Sequence, residues 1–301
     1  MKKRTALILV NWNSFELTHQ CLISLSACEQ IFETIVVDNG STDHSAEEIK
    51  RLHPHITLLL SETNLGFAGG NNKGLDYVLS KDFEYVLFLN NDTFVEPNFL
   101  KVLIKYMDEH PEVGIIQPKI YCHHDPSLIW DGGSYFNSFF TLPYTKGALK
   151  KEKPIHNELK KVDWVTGCAF LTRTEILKNT GPFNEKFFIY FEDVDLSFRI
   201  KKLGYTLIYH PESVIYHIAG MSNKSKSKQK EGYVNPIVHY LIQRNRIWFL
   251  KKYTNPIFVV PTVLYHGSYS LAMIVYFIAR RRFKKLNALL KGIRDGICDT
   301  L

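Results

Sequence analysis

The stretch Leu87-Phe88-Leu89-Asn90-Asn91-Asp92 indicates the fold most directly, because an apolar run ends there abruptly in three polar residues. An apolar run without polar alternation is typical of a strand that is buried on both faces of a parallel sheet. Polar side chains directly after such a strand lie at its carboxyl end, where open α/β sheets bind their ligands. The stretch therefore predicts a class of fold and the edge of the sheet that carries the site.

The same pattern recurs on both sides of this stretch. Strand candidates cover residues 5–10, 34–38, 56–60, 85–90 and 114–117, and helical patterns cover residues 14–27, 45–52, 70–79 and 97–109. Strands that alternate with helices predict an α/β fold with a mostly parallel central sheet flanked by helices. Polar clusters at residues 11–13 and 38–43 follow the first two strands and are expected at the same edge as Asp92.

Regular patterns return in the second half of the chain. A regular pattern covers residues 164–172, residues 192–203 predict a helix, and residues 205–209 and 213–217 predict two further strands. Between that last strand and the C-terminal part, residues 223–232 are polar, basic and poor in apolar side chains, which is typical of a loop.

The C-terminal part is strongly basic and partly apolar. Residues 221–301 carry 15 Lys and Arg against three Asp and Glu, whereas residues 1–220 carry 22 against 27. The apolar residues 257–279 are enough to cross a bilayer as a helix, but polar residues interrupt them. A hairpin of interfacial helices, a tilted span and a segment of a soluble core are therefore all open. The basic run at 280–285 would pair with anionic headgroups on the cytoplasmic side. We therefore expect a catalytic domain over residues 1–220 and a helical, membrane-associating segment over residues 221–301.

Composition and motifs exclude several classes. The chain is 45% hydrophobic and 22% charged, which is typical of a packed protein rather than a disordered one. Its five cysteines are scattered without a C-x-x-C pair, which argues against a disulfide framework and a zinc site and fits a reducing compartment. The glycine-rich run at residues 64–72 is neither a Walker loop nor G-x-G-x-x-G, so neither an ATPase nor a dinucleotide site is supported.

Four features carry candidate chemistry, each with a structural alternative. Asp38, at a strand end, could accept hydrogen bonds from a nucleotide base or ribose, or belong to a plain strand–turn–helix connection. Asp92 could hold a divalent cation, or form an Asn-Asp turn. The acidic run from Glu192 to Asp195 could supply a general base, or only complement a helix dipole. A lone His217 is more often structural than a ligand.

Taken together, these motifs resemble family 2 of the glycosyltransferases, and within it the bacterial rhamnosyltransferase-like branch. The resemblance covers nearly the whole chain, and the order and spacing of its motifs are specific. The motifs are Val10-Asn11-Trp12-Asn13, residues 38–43, 64–72 and 89–93, Gly181-Pro182-Phe183-Asn184-Glu185, residues 192–196, Arg244-Asn245-Arg246 and residues 291–296.

The resemblance implies the two-lobed GT-A nucleotide-sugar-binding fold and an inverting displacement. It implies that Asp193 is the general base, with Glu192 beside it, and that Asp92 and His217 hold a divalent metal, Mn²⁺ or Mg²⁺. Asn90 replaces the first acid of the family's D-x-D motif, which makes Asp92 the principal protein ligand. The implied donor-binding residues are Asn13, Asp38, Asn39, Asp43, Asn64, Gly66, Phe67, Gly69, Asn71, Asn91 and Arg244. Trp164 and Tyr190 could stack on a sugar, or equally be core aromatics.

The expected function is therefore transfer of a sugar from a nucleotide-sugar donor to a hydroxyl group. By resemblance, the donor is dTDP-rhamnose or a UDP-hexose, and the acceptor is a lipid-linked saccharide or another cell-envelope glycan at the cytoplasmic face of the bacterial inner membrane. No nucleic-acid partner is expected.

Two other functions are weighed against this one. A nucleotidyltransferase should show a basic glycine-rich loop after its first strand, where this chain has Asn11-Trp12-Asn13-Ser14. A non-catalytic nucleotide-sugar-binding membrane protein fits poorly with the intact Asp92, Glu192 and Asp193.

Overall fold

A computed structural model describes residues 4–218, 224–229 and 231–301 of the chain. The chain forms two compact units. The first comprises Met1–Tyr135, Thr145–Phe188 and Glu192–Ala219, and the second comprises Phe136–Tyr144, Ile189–Phe191 and Gly220–Leu301. The assignment of residues 1–220 to catalysis and of residues 221–301 to membrane association stays a prediction.

The first unit opens with alternating strands and helices, in the order that the apolar runs predict. These elements are β1 (Thr5–Asn11), α1 (Phe15–Ser26), β2 (Glu33–Asn39), α2 (Ser45–Leu52), β3 (Thr57–Ser61), α3 (Gly66–Leu79) and β4 (Tyr85–Asn90). The four strands are parallel and lie in the order β4-β1-β2-β3. Their carboxyl ends therefore meet at one edge of the sheet.

The chain between β4 and the C-terminal part adds the remaining strands of a mixed sheet and a separate two-stranded sheet. Its elements are β5 (Thr93–Val95), α4 (Phe99–Glu109), β6 (Val113–Cys122), β7 (Asp125–Asp131), β8 (Ser134–Asn137), β9 (Leu142–Thr145), β10 (Lys150–Lys151), β11 (Lys160–Lys161), β12 (Ala169–Arg173), α5 (Thr174–Thr180), α6 (Glu192–Lys202) and β13 (Thr206–His217). The sheet is mixed beyond β4 because β12 lies antiparallel between β4 and β6. β13 runs parallel to β6.

Two apolar cores cover the two faces of this sheet. Alternate residues of β1 point to opposite faces, so that Leu7 and Leu9 belong to one core and Ala6 and Ile8 belong to the other. The first core also contains apolar residues of α1 and α4, and the second contains apolar residues of α3, α5 and α6. Burial on both faces explains why the strands lack polar alternation.

Some element bounds differ from the predicted ones. α3 begins at Gly66 rather than at residue 70, because the glycine-rich run forms its first turn. The two strands predicted at residues 205–209 and 213–217 are one strand, β13, with a register shift between His210 and Val214. The bulge there breaks the apolar pattern without ending the strand.

The second unit contains β14 (Lys224–Gln229), β15 (Gly232–Val234), α7 (Pro236–Tyr253), α8 (Val259–Ala279) and α9 (Phe283–Cys298). β14 and β15 pair in antiparallel fashion, so the loop predicted over residues 223–232 is wrong where the structure describes it; residues 223 and 230 lie outside the described residues. α7 and α9 pack closely, because two glycines of α9 face α7. A Cβ atom at Gly292 would lie 2.5 Å from the Tyr240 carbonyl oxygen, and one at Gly296 would lie 2.9 Å from the Ile247 Cβ.

α8 is one continuous helix, so the predicted alternative of a helical hairpin within residues 257–279 is wrong. Pro261 does not break the helix because it lies in the first turn, where its missing N–H is not needed. Pro256–Ala279 has a mean hydropathy of 1.4 and is 11% buried, and by length and composition it could cross a membrane. Among the described residues this is the one helix of that kind.

Candidate active site

Asp38 lies at the carboxyl end of β2 and is 3% exposed. Its Oδ2 accepts a hydrogen bond from Asn11 Nδ2 at 2.8 Å, and its Oδ1 accepts one from the Ser41 backbone N–H at 3.0 Å. An ionised carboxylate has about four acceptor positions, so these two bonds fix its orientation and leave it able to accept from a ligand. The sequence analysis placed Asn11 in a motif but assigned it no role, although it ends β1 directly beside Asp38.

The turn after β2 uses Asn13 and Asp43 in different ways. The Asn13 side-chain oxygen accepts a hydrogen bond from the Thr42 backbone N–H at 2.7 Å, which ties the turn after β1 to the turn after β2. The Asp43 carboxylate accepts from the backbone N–H of Ser45 at 3.2 Å and also from its hydroxyl group. Asp43 thus stabilises the start of α2, and its contact with a nucleotide stays a prediction.

Asn39 builds the glycine-rich loop before α3. It is 2% exposed, accepts from the Leu65 backbone N–H at 3.0 Å, and donates to the Gly66 carbonyl at 3.0 Å and to Asn64 Oδ1 at 3.2 Å. Gly66 has a φ of +73°, and an added Cβ would lie 2.5 Å from the Phe188 carbonyl oxygen. Only glycine fits this position, because the loop passes close to Phe188, in the segment that leads towards Glu192.

Two asparagines of α3 have different partners, one inside the helix and one outside it. Asn71 Nδ2 donates to the Phe67 carbonyl oxygen at 2.9 Å, inside the helix. Asn72, which the sequence analysis did not select, donates to the Phe183 carbonyl at 2.9 Å and to Glu185 Oε1 at 2.8 Å. Asn72 therefore connects the glycine-rich helix to the chain that precedes the acidic run.

Asn91 and Asp92 leave the end of β4 in different directions. Asn91 Nδ2 donates to Ser14 Oγ at 2.9 Å and to Thr18 Oγ1 at 2.8 Å, and so binds the start of α1. Asp92 is 6% exposed, and its Oδ1 lies 3.0 Å from Nε2 of His217 at the end of β13. Two strands that are far apart in sequence thus bring a carboxylate and an imidazole together.

This pair fits a divalent cation that also binds a substrate. His217 Nδ1 is buried and has no hydrogen-bond partner among the described residues. No third His, Cys, Asp or Glu of the described residues completes a group around them. Hard cations such as Mg²⁺ are commonly held by one or two protein ligands together with substrate phosphates. Asp92 and His217 therefore suit a cation that completes its shell with a diphosphate, and do not suit a structural metal.

Glu192 and Asp193 begin α6. Glu192 is 4% exposed, and its Oε2 has no hydrogen-bond partner among the described residues. Burial, and next the charge of Asp193, raise the pKa of Glu192 well above its usual range. Burial also raises the pKa of Asp193, against the hydrogen bonds that its carboxylate accepts from the Gly167 and Val194 backbone N–H groups, each at 2.8 Å. Asp193 is only partly buried, so a ligand can reach it.

One short turn joins the Asp193 carboxylate to the end of β4. The Gly167 N–H donates to Asp193 Oδ2 at 2.8 Å, and the carbonyl of the next residue, Cys168, accepts from the Asn90 N–H at 2.8 Å. Asp92 follows two residues after Asn90. Asp92 and Asp193 therefore lie at the same edge of the sheet, separated by a single turn of backbone.

Three further predicted residues are Trp164, Tyr190 and Arg244. Trp164 Nε1 donates to the Tyr135 carbonyl at 2.9 Å, and the side chain is partly buried. Tyr190 and Arg244 belong to the second unit, where the Arg244 guanidinium lies 4.2 Å from the centre of the Trp248 ring. The roles of all three in sugar or donor binding stay predictions.

Asp131 is a buried carboxyl group that the sequence analysis missed. It ends β7, is 1% exposed, and burial raises its pKa to about 6. Its charge and that of Asp193 are close enough to interact. A carboxylate directly after a strand is the signal that selected Asp38 and Asp92, but β7 is too polar at its start to be found from the sequence.

The chain matches known proteins in sequence and in structure. The model of the family described as "Glycosyl transferase family 2" matches residues 6–181, more than half of the 301 residues. The chain is 26% identical over 248 residues to the N-acetylglucosaminyl-diphospho-decaprenol L-rhamnosyltransferase of Mycobacterium tuberculosis, a match that covers 76% of this chain and 80% of that protein. It is 27% identical over 230 residues to the rhamnosyltransferase WbbL of Escherichia coli, covering 73% and 85%.

Two solved structures share the fold at low sequence identity. The mannosyltransferase PcManGT of Pyrobaculum calidifontis, solved with GDP-Man and Mn²⁺, superposes with a TM-score of 0.57 and 16% identity over 100% of this chain and 89% of that one. GalNAc-T7, solved with UDP, GalNAc and Mn²⁺, superposes with a TM-score of 0.63 and 16% identity over 83% of this chain and 48% of that one. The predicted GT-A fold is confirmed, and the chain belongs to glycosyl transferase family 2.

Proposed function

We propose that this glycosyltransferase inverts the configuration of the transferred sugar, with Asp193 as the general base. The observation that carries the proposal is the turn at Gly167 and Cys168, which hydrogen-bonds the Asp193 carboxylate on one side and the end of β4 on the other. A donor diphosphate beside Asp92 would then present its sugar towards Asp193. Family membership favours this reading over the nucleotidyltransferase and non-catalytic alternatives.

The reaction needs one base and one leaving group. The acceptor hydroxyl attacks C1 of the sugar, Asp193 takes the hydroxyl proton, and the bond between C1 and the diphosphate oxygen breaks. Attack opposite to the leaving group inverts C1. Burial and the neighbouring charge of Asp193 raise the pKa of Glu192 well above its usual range and favour its neutral form, which limits the repulsion between the two carboxyl groups.

A divalent cation completes the proposed site. Asp92 and His217 would hold it, and when bound it stabilises the negative charge of the leaving diphosphate. Mn²⁺ and Mg²⁺ both suit oxygen ligands, and the two solved neighbours contain Mn²⁺. No second acid is needed for the leaving group, unlike the carboxylate pair of glycoside hydrolases.

The proposed donor is dTDP-rhamnose, with UDP-hexoses as the next candidates. The names of the Mycobacterium tuberculosis and Escherichia coli relatives support rhamnose. Asp38 and the glycine-rich loop between β3 and α3 would bind the nucleotide. The name of the Mycobacterium tuberculosis relative also supports a lipid-linked saccharide as the acceptor.

A lipid-linked acceptor fits the exposed apolar residues of α8, which would associate with the cytoplasmic face of the bacterial inner membrane. Val260 and Leu264 are each 68% exposed, and Leu271 is 61% exposed. Arg280, Arg281 and Arg282 follow the helix and would pair with anionic headgroups.

Replacing Asp193 with Asn tests the proposed base. Asn cannot take the proton, whereas the nucleotide pocket around Asp38 is unchanged, so transfer should fall by at least about 100-fold while donor affinity is retained. Turnover would be followed as release of nucleoside diphosphate from dTDP-rhamnose and from UDP-hexoses with Mn²⁺, and affinity by the thermal shift that each nucleotide induces.

A matched control is Asp163→Asn, because Asp163 lies on the surface in an ion pair with Lys201 at 2.7 Å. That variant should turn over at the wild-type rate. Wild-type turnover in Asp193→Asn would refute the assignment of the base, and release of pyrophosphate from a nucleoside triphosphate would indicate a nucleotidyltransferase instead.

A further inference from the structure

The buried carboxylate of Asp131 accepts three hydrogen bonds from protein donors. It accepts hydrogen bonds from the Gly133 N–H at 2.7 Å, from Ser134 Oγ at 2.9 Å and from Gln117 Nε2 at 3.1 Å. With 1% of its surface exposed, it cannot touch a substrate. Its effect on the reaction must therefore pass through the groups that it binds, and Gln117 is the one that leads towards the candidate site.

Gln117 is held in one orientation by Asp131. It lies on β6, is fully buried, and its Oε1 accepts a hydrogen bond from the Thr166 N–H at 3.2 Å. A carboxylate only accepts hydrogen bonds, so the amide NH₂ group must face Asp131 and the amide oxygen must face Thr166. Without Asp131, the buried NH₂ group of Gln117 would lose its acceptor, and the side chain would no longer be held at both ends against Thr166.

Thr166 begins the turn that holds both sides of the candidate site. Its Oγ1 accepts from the Cys168 N–H at 3.3 Å, which closes the turn. Gly167 donates to Asp193 at 2.8 Å, and the Cys168 carbonyl accepts from Asn90 at 2.8 Å. A continuous chain of contacts thus runs from Asp131 through Gln117 to the Asp193 carboxylate.

We propose that Asp131 and Gln117 are positioning residues for the transfer reaction, because they fix the turn that aims the Asp193 carboxylate. The inference rests on the proposed role of Asp193 as base. Reacting groups must be held in a near-attack geometry, and a misplacement of about 1 Å can cost about 100-fold in rate. The nucleotide pocket is built from other residues, so the pair should affect the chemical step and leave donor binding unchanged.

Two independent substitutions test the pair. Gln117→Met keeps the length of the side chain but removes both hydrogen bonds, and Asp131→Leu removes the acceptor that orients Gln117. Each should lower kcat by about 10- to 100-fold with an unchanged KM for the donor. The double variant should be no slower than the slower single variant, because both act through the same turn.

Two further variants separate positioning from general stability. Asp131→Asn keeps an acceptor oxygen towards Gln117, and Ser134 Oγ can accept from its new NH₂ group, so near wild-type kcat is expected. Thr172→Val removes a buried hydrogen bond of 2.7 Å to the Gly114 carbonyl on the same pair of strands, away from the turn. It should lower the melting temperature and leave kcat unchanged.

Three results would overturn the proposal. These are wild-type kcat in both Gln117→Met and Asp131→Leu, a loss of kcat in Thr172→Val as large as theirs, or a rise in donor KM that matches the loss of kcat. Asp193→Asn is measured alongside. If it retains turnover, the assignment of the base fails; if it is inactive while the Gln117 and Asp131 variants keep wild-type kcat, only the present inference fails.

Discussion

Carboxyl groups with unequal surroundings define the candidate site at the scale of single residues. Asp38 accepts hydrogen bonds from Asn11 and Ser41, and Asp92 lies 3.0 Å from the imidazole of His217, whereas Glu192 is buried with an oxygen that has no partner among the described residues. Burying a carboxyl group favours its neutral form, so such groups cost stability at neutral pH unless they are paired. Retaining several of them at one edge of a sheet is typical of a functional site.

The titration of Asp131 should be visible in the stability of the protein. Its pKa rises from 3.8 to about 6 on folding, so between these values the folded state binds a proton that the unfolded state has released. The free energy of unfolding should therefore fall as pH rises from about 4 to about 6, by up to about 3 kcal/mol from this group. Asp131→Asn removes this dependence, and urea unfolding across the range measures the difference.

The sign of that difference is the test for Asp131. The free energy of unfolding of the wild type should fall with rising pH relative to that of Asp131→Asn. Above pH about 7 the two curves should run parallel. Other carboxyl groups titrate equally in both proteins and cancel in the comparison. Curves that run parallel over the whole range would show that Asp131 titrates as an ordinary aspartate.

Asp92 and His217 should determine the affinity for the metal. Replacing Asp92 with Asn removes the charged ligand, and replacing His217 with Ala removes the imidazole, so each should weaken activation by Mn²⁺ by about 10- to 100-fold. The measurement is turnover against Mn²⁺ concentration at saturating donor. His123→Ala is the control, since His123 stacks on Phe94 instead of meeting Asp92. An unchanged Mn²⁺ requirement in both variants would contradict the metal assignment.

At the scale of elements, α7 holds the segment that leads into Glu192. Asn245 on α7 is fully buried, and its Nδ2 donates to the carbonyl oxygens of Ile189 and Tyr190, each at 2.9 Å. Tyr190 and Phe191 have φ values of 76° and 73°, which side chains other than glycine rarely adopt. Such strained positions persist only where neighbouring contacts hold them.

Replacing Asn245 with Leu should release this segment. Two buried carbonyl groups would lose a donor, so the free energy of unfolding should fall by about 1–3 kcal/mol. Because Glu192 follows Phe191 directly, kcat should fall as well. Asn235→Ala serves as the control: it removes a cap at the start of α7 and should cost about 1 kcal/mol without changing kcat. Unchanged kcat in Asn245→Leu would separate this segment from catalysis.

At the scale of the whole molecule, charge and exposed apolar surface are unevenly distributed. The basic excess lies beyond residue 220, in the same part of the chain as the exposed helix α8. Apolar residues that lie on one helix next to an arginine run are typical of a segment that binds an anionic membrane surface. The acidic balance of residues 1–220 gives no such attraction.

Replacing four exposed apolar residues of α8 should reduce membrane binding without unfolding the protein. Val260, Leu264, Leu271 and Val275 are 57–68% exposed, so serine at these positions costs little packing. Sedimentation with vesicles that contain anionic lipid should fall by at least about 10-fold, since each apolar side chain contributes about 1 kcal/mol or more to insertion. The control replaces four residues of the first unit that are 51–61% exposed: Ile23, Ile31, Leu60 and Leu203. Equal sedimentation of both variants would refute the membrane role of α8.

The sequence by itself determined two things: the order of strands and helices in the first half of the chain, and the family to which the chain belongs. Unbroken apolar runs such as residues 85–89 are readable because burial on both faces removes polar alternation, and the polar residues after them mark the carboxyl edge. Asp38 and Asp92 were selected in this way, whereas Asp193 was selected from the acidic run that opens a helix and from the order of the motifs.

Only the tertiary structure decided how these residues meet. The antiparallel insertion of β12 between β4 and β6 brings the turn at Gly167 to the end of β4, and no local pattern encodes the pairing of strands that are about 80 residues apart. For the same reason Asp131 and Gln117 escaped prediction, and Asn245 was quoted only as part of a motif, without its contacts. Their importance lies in hydrogen bonds to partners that are distant in the chain, and burial of a polar group is visible only when the packed fold supplies those partners.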